Sequence, residues 1–154
     1  MPSKFTEYML TLAMGLILIV SITMSFHGMY ESVEEEVIQQ ELEAMTQRVA
    51  QYVIDVISLG QEAEYAINWM IEIEIELPTD LRGHLYHIFA EESSDGQHFE
   101  SIHGSLLTQS DISAQVKLSP IIDNIQFHGS FQSIFNKHTL RYNPLKSTIE
   151  LVDQ

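Results

Sequence analysis

The amino-acid sequence predicts an α+β protein, in which a long N-terminal transmembrane and amphipathic helix is followed by a small antiparallel β-sheet or sandwich domain. Three observations carry this expectation. Residues 8–30 contain no Asp, Glu, Lys or Arg. Residues 31–59 place apolar side chains at helical spacing, with neither Pro nor Gly before Gly60. Beyond Gly60 the pattern changes to a period of two, the signature of strands with one buried and one wet face.

The uncharged segment reads YMLTLAMGLILIVSITMSFHGMY. As a helix it rises roughly 35 Å, enough to cross a hydrocarbon core of about 30 Å with some tilt. Tyr8 and Tyr30 then fall at the two interfaces. A cleaved secretory signal is the main rival, but its apolar stretch runs to about 7–15 residues between a basic region and a small-residue cleavage site. Here the run is longer, and SFHGMYESVEEE offers no such site. A retained membrane helix is therefore preferred to a removed signal or a buried core helix. Lys4 precedes the segment, whereas Glu31, Glu34, Glu35 and Glu36 follow it. The positive-inside rule then makes residues 1–7 a short cytoplasmic lead and places the remainder outside the cell. Thr11, Ser21, Thr23 and Ser25 are expected to bond to their own helix backbone, and His27 to lie at the interface.

Residues 31–60 form an acidic stem. Ile38, Leu42, Met45, Val49, Tyr52, Val56 and Leu59 recur at spacings of 4, 3, 4, 3, 4 and 3, a seven-residue apolar repeat. Val53 and Ile57 widen the stripe, which suits a helix lying on a sheet. Gly60 is the expected stop, supplying the left-handed residue after a helix C-terminus. Two readings of the stripe coexist: packing on the chain's own domain, and packing of residues 31–45 against identical helices. A helix from Phe5 to Leu59 would measure roughly 80 Å, more than a domain of this size covers.

In residues 61–154, Ile67, Trp69, Ile71, Ile73, Ile75 and Leu77 alternate with polar positions and predict a strand ending at Pro78. Residues 78–83 read as a turn. Residues 84–90 read as a second strand, returning antiparallel to the first. Further strands are expected around residues 97–102, 114–118, 125–131, 139–142 and 148–152, with Ser93-Ser94-Asp95-Gly96 as a turn.

Composition excludes several functions. There are 22 acidic and 7 basic residues in 154, for a net charge of -15, and there is no cysteine. Thiolate metal sites, disulfides and cysteine nucleophiles are ruled out. A polyanion lacks the Lys and Arg excess that phosphate backbones require, so no nucleic acid is expected as partner. Six histidines fall after Gly60, at His84, His87, His98, His103, His128 and His138. Their spacing along strands turns neighbours to opposite faces and disfavours a metal site. They do lower the domain's negative charge as pH falls toward 6. Glu72, Glu74 and Glu76 form an acidic ladder whose oxygens suit a hard cation such as calcium, or simply water. No dinucleotide, phosphate-loop, zinc-protease or nucleophile-elbow pattern occurs, so neither an enzyme nor a cofactor is expected.

This layout resembles that of type IV pilins: a very short lead, an uninterrupted apolar helix flowing into an amphipathic stem, and a small β-domain. The resemblance is closest to archaeal pilin-like and archaellum-associated proteins, and Glu76-Leu77-Pro78-x-x-Leu81-x-Gly83-x-x-Tyr86-x-Ile88 is similar to a pattern in that group. It implies a structural subunit or a membrane-anchored accessory protein, with membrane lipid, a homo-oligomer or related pilin-like subunits, and a cell-envelope component as partners. In pilins a peptidase cuts before the apolar helix, after a basic residue followed by a small one. Here Ser3 and Lys4 stand in the reverse order. Glu7 stands where the family's registering Glu stands, although a carboxylate at a helix N-terminus also has a plain interfacial reading. Assembly or anchoring is accordingly expected of Glu7, Gly15, Ile38, Leu42, Met45 and Val49. A single-pass protein whose outer domain binds a ligand or cation is the alternative.

Overall fold

The structure, a computed structural model, describes residues 4–62, 70–92, 99–118, 125–135 and 137–154. Ile67, Trp69, His98 and the Ser93–Gly96 turn lie outside the described residues. Among the described residues one helix, α1 (Lys4–Glu62), is followed by seven strands: β1 (Ile71–Ile75), β2 (Tyr86–Glu92), β3 (Phe99–Leu106), β4 (Ser113–Lys117), β5 (Gln126–Gln132), β6 (His138–Asn143) and β7 (Thr148–Asp153). The chain divides into two compact units, Met1–Val37 and Ile38–Gln154. The second holds the core.

The strands form a single seven-stranded sheet in the order β1-β6-β7-β5-β2-β3-β4. Every pairing is antiparallel except β5 with β7, which is parallel. The helix from Ile38 onward covers one face. Gln39 donates to the Ser113 carbonyl at the start of β4, Leu42 and Thr46 lie over Gly104 of β3, and Gly60 lies against Tyr142 of β6. The helix thus crosses the sheet diagonally, burying Leu42, Val49, Val53, Val56 and Ile57 against Tyr86, Ile88, Ile102, Phe131, Leu140 and Ile149. Glycine at 104 permits the close approach, since a Cβ there would meet the Thr46 hydroxyl and the Leu42 side chain. Gly129, at φ 84°, combines a left-handed backbone with contact against the Leu151 carbonyl, so β5 can lie beside β7 only with glycine at that position.

One expectation is refined and another corrected. The turn at residues 78–83 exists and β2 runs antiparallel to β1, but the two are not neighbours, since β6, β7 and β5 lie between them. Arg82 and Gly83, at φ 52° and 84°, close a tight two-residue loop in which Leu81 and His84 exchange backbone hydrogen bonds at 2.9 Å. The strand that follows pairs with β3 and β5, whereas β1 pairs with β6. Gly60 does not end the helix. It sits in the last turn, and its missing side chain makes room for the Tyr142 ring.

The apolar stripe also drifts. Leu59 is half exposed while Gly60, Thr46 and Ala50 are buried. A straight helix of 3.6 residues per turn slips by about 20° per heptad against a seven-residue repeat, so the buried seam moves to Val53, Ile57 and Gly60 by the third heptad. The role of Gly60 is testable. Alanine normally favours a helix interior by about 1 kcal/mol, yet Gly60→Ala is expected to lower the thermal midpoint, because its methyl collides with Tyr142. A raised midpoint would refute the packing role.

Candidate functional site

Two surfaces carry chemistry. The first is the helix surface from Lys4 to Tyr30. Phe5, Leu18, Ile19, Met24, Phe26 and Met29 are each more than 60% exposed, and the apolar stretch of the helix is long enough to cross a membrane while burying none of its residues. Apolar side chains surround the helix on all sides, a pattern water does not tolerate and hydrocarbon does. Three of its hydroxyls are answered by its own backbone. Thr11 donates to the Glu7 carbonyl at 2.9 Å, Thr23 to the Ile19 carbonyl at 2.8 Å and Ser25 to the Ser21 carbonyl at 3.0 Å. Ser21, Ile22, Ser25, Phe26 and Met29 line a shallow hollow on this surface. His27 Nε2 lies 3.2 Å from Glu31, where the charged stem begins.

Glu7 lies in the first turn of α1, exposed. A side chain added at Gly15 would touch nothing. Ile38, Leu42, Met45 and Val49 behave differently: they are 1%, 0%, 6% and 0% exposed in the core of their own domain. Between Tyr30 and that core, the side chains open to a partner are those of residues 31–36, mostly glutamates.

A family model matches residues 3–133, which is most of the chain. The chain belongs to the DUF7266 family, a family of unknown function. No curated protein and no solved structure matches it. What this DUF7266 member shows is therefore architecture, a long exposed apolar helix continuing into a sheet domain in the manner of a pilin.

The second surface is the sheet face turned away from the helix. The acidic ladder lies there. Glu72 meets Arg141 at 2.9 Å and Glu74 meets Lys137 at 3.3 Å, so these carboxylates already have cationic partners from within the DUF7266 chain. Farther across, His87, Phe89 and His103 stack in a row, with ring centroids 4.9 and 5.6 Å apart. His103 Nε2 also contacts Glu91 at 2.5 Å. This row depends on the register that sets Phe89 opposite His103, so spacing along the sequence could not reveal it. Among the described residues no three His, Asp or Glu side chains converge as a metal site would require.

His138 is different again. It is fully buried, packs edge-on to Phe131, and places Nδ1 2.7 Å from Asp153, whose other oxygen accepts the Gln132 amide at 2.9 Å. Nearby, the Tyr86 hydroxyl donates to the Pro78 carbonyl. Burial pushes the Tyr86 phenol well above its ordinary range, reinforced by Asp153 and Asp80.

Burial lowers the pKa of His87 from its ordinary value near 6.5, against an opposing pull from Asp153. The folded state thus prefers the neutral ring. The stability this contributes is present above pH 6.5 and is lost as pH falls through the lower folded value. The thermal midpoint of the native chain should therefore fall more steeply than that of His87→Gln between pH 7 and the lower folded-state pKa. Parallel profiles would remove His87 from the pH response.

Proposed function

We propose that this protein is a membrane-anchored, pilin-like structural subunit or accessory protein of an archaeal type IV pilus-like or archaellum system. Its work is mechanical and adhesive, not enzymatic. The apolar helix anchors the chain in lipid or packs against copies of itself or related subunits. The sheet domain stands outside the cell, where its polar face meets the cell envelope or a filament.

The observation that carries this reading is the run of exposed apolar side chains from Phe5 to Tyr30, continuous in one helix with a stem that is part of the β-domain's core. Such a helix needs hydrocarbon or like helices around it. Lys4 before it and four glutamates after it favour a cytoplasmic N-terminus.

The test is intact mass and N-terminal sequence of the protein isolated from its native membrane, with sedimentation before and after detergent. A start near Phe5 in a large sheared particle identifies a processed filament subunit. A longer N-terminus in a small detergent-soluble species identifies an anchored accessory protein. A species that sediments with neither membrane nor filament sinks the reading.

A further inference from the structure

The sheet has two ends, and the exposed apolar residues at one of them form a contiguous group. Leu85 precedes β2, Leu107 follows β3, and Ile134 and Phe135 follow β5; these residues are 37%, 53%, 57% and 37% exposed. Backbone bonds bring them together, since Leu107 donates to the Leu85 carbonyl at 2.8 Å and Ser133 donates to the Tyr86 carbonyl at 3.0 Å. This is also the end at which the helix enters the domain. Gln39 bonds to Ser113, which lies opposite Ser105 near the end of β3, and Glu41 pairs with Arg82 at 3.3 Å. Leu145, which is 69% exposed, occupies the β6–β7 turn at the opposite end.

Tyr30 closes the apolar segment, and Ile38 is the first fully buried residue of the domain. Seven helical residues lie between them, so Ile38 stands about 12 Å of rise beyond Tyr30. The headgroup layer on one side of a bilayer occupies about 5–8 Å, the difference between the full and hydrocarbon thicknesses halved. A domain on so short a tether, entered at the end that exposes Leu, Ile and Phe, has those residues within reach of the interface. Apolar side chains gain free energy by entering the headgroup boundary and gain none in water.

We propose that the loop tips carrying Leu85, Leu107, Ile134 and Phe135 form a second membrane contact, an apolar footprint that seats the domain on the lipid surface beside its own anchor. The footprint rests on the membrane-anchor reading given above. It takes lipid as its occupant because the tether delivers the patch to lipid whether or not other subunits are present.

The absence of cysteine provides a clean test with the full chain. Single variants Leu18→Cys, Leu107→Cys, Ile134→Cys and Leu145→Cys are labelled with an environment-sensitive fluorophore and reconstituted in nanodiscs at one chain per disc. Quenching is then compared between lipid-borne nitroxide, on the headgroup or upper acyl chain for positions 107, 134 and 145 and deep in the acyl chain for position 18, and iodide in the buffer. Labels at 18, 107 and 134 should be quenched by lipid nitroxide and shielded from iodide, whereas the label at 145 should show the reverse. A lipid-quenched label at 18 with iodide-quenched labels at 107 and 134 overturns the footprint and leaves the anchor standing. An iodide-quenched label at 18 overturns the anchor, and the footprint with it. Shielding at 107 and 134 that arises only when several chains share a disc assigns the patch to a second copy and also overturns the proposal.

Discussion

A chain carrying Leu16→Arg together with Ile19→Arg is expected to leave the membrane fraction. Each charge at the centre of a membrane helix costs about 3 kcal/mol on the insertion scale, so the pair costs about 6 kcal/mol, or roughly four powers of ten in the inserted ratio. Both side chains are more than half exposed and contribute nothing to the core. The sheet domain should therefore keep its thermal midpoint while the protein moves from the carbonate-washed pellet to the supernatant or to aggregates. The matched Leu16→Ala, Ile19→Ala chain should stay in the pellet. If the arginine chain also stays, hydrocarbon is not what surrounds this helix.

The second large effect is expected at the helix–sheet contact. Gly104→Ala should destabilise the domain by about 2 kcal/mol and Gly104→Val by more, because overpacking forces a helix and a sheet apart across a close-packed core. The group in the way is identifiable. Thr46 donates its hydroxyl to the Leu42 carbonyl at 2.8 Å and is thereby held over Gly104. Thr46→Ala in the Gly104→Ala background should recover part of the loss, although Thr46→Ala alone should be mildly unfavourable. Additive losses in thermal or urea unfolding would show that the two positions do not meet.

The elements most legible in the sequence were those whose signal is local. The apolar segment is recognisable from its missing charges, and the strands from Ile71-Glu72-Ile73-Glu74-Ile75 and its counterparts, because alternation along a strand is itself the cause of its half-buried state. Partner choice was not legible. The Pro78–Gly83 turn resembles a hairpin corner, but which strands pair is decided by distant residues. Only the assembled sheet places β6 beside β1. Gly60 conceals its role for a related reason. Glycine near a helix end suggests a terminator, and only the Tyr142 ring, more than eighty residues onward, reveals a packing site. Ile38, Leu42, Met45 and Val49 are recognisable in the sequence as an apolar stripe, yet periodicity cannot say whether its neighbour is a sheet of the same chain or another helix.

The parallel contact between β5 and β7 has a kinetic meaning. β6 and β7 come after the other five strands in chain order, yet they lie between β1 and the β5-β2-β3-β4 group. Until residues 138–153 are available, β1 has no partner and β5 has an open edge. His138, Asp153 and the Gln132 amide form the fastening between the late hairpin and the earlier strands. Long-range closures of this kind are slow, because the chain loses loop entropy before it gains contacts. On the proposed topology, the domain would emerge across the membrane with its sheet still in two pieces, and its apolar face would depend on the already formed stem helix for cover. A chain cut before Thr148 should then be handed to quality-control proteases and never reach a folded state.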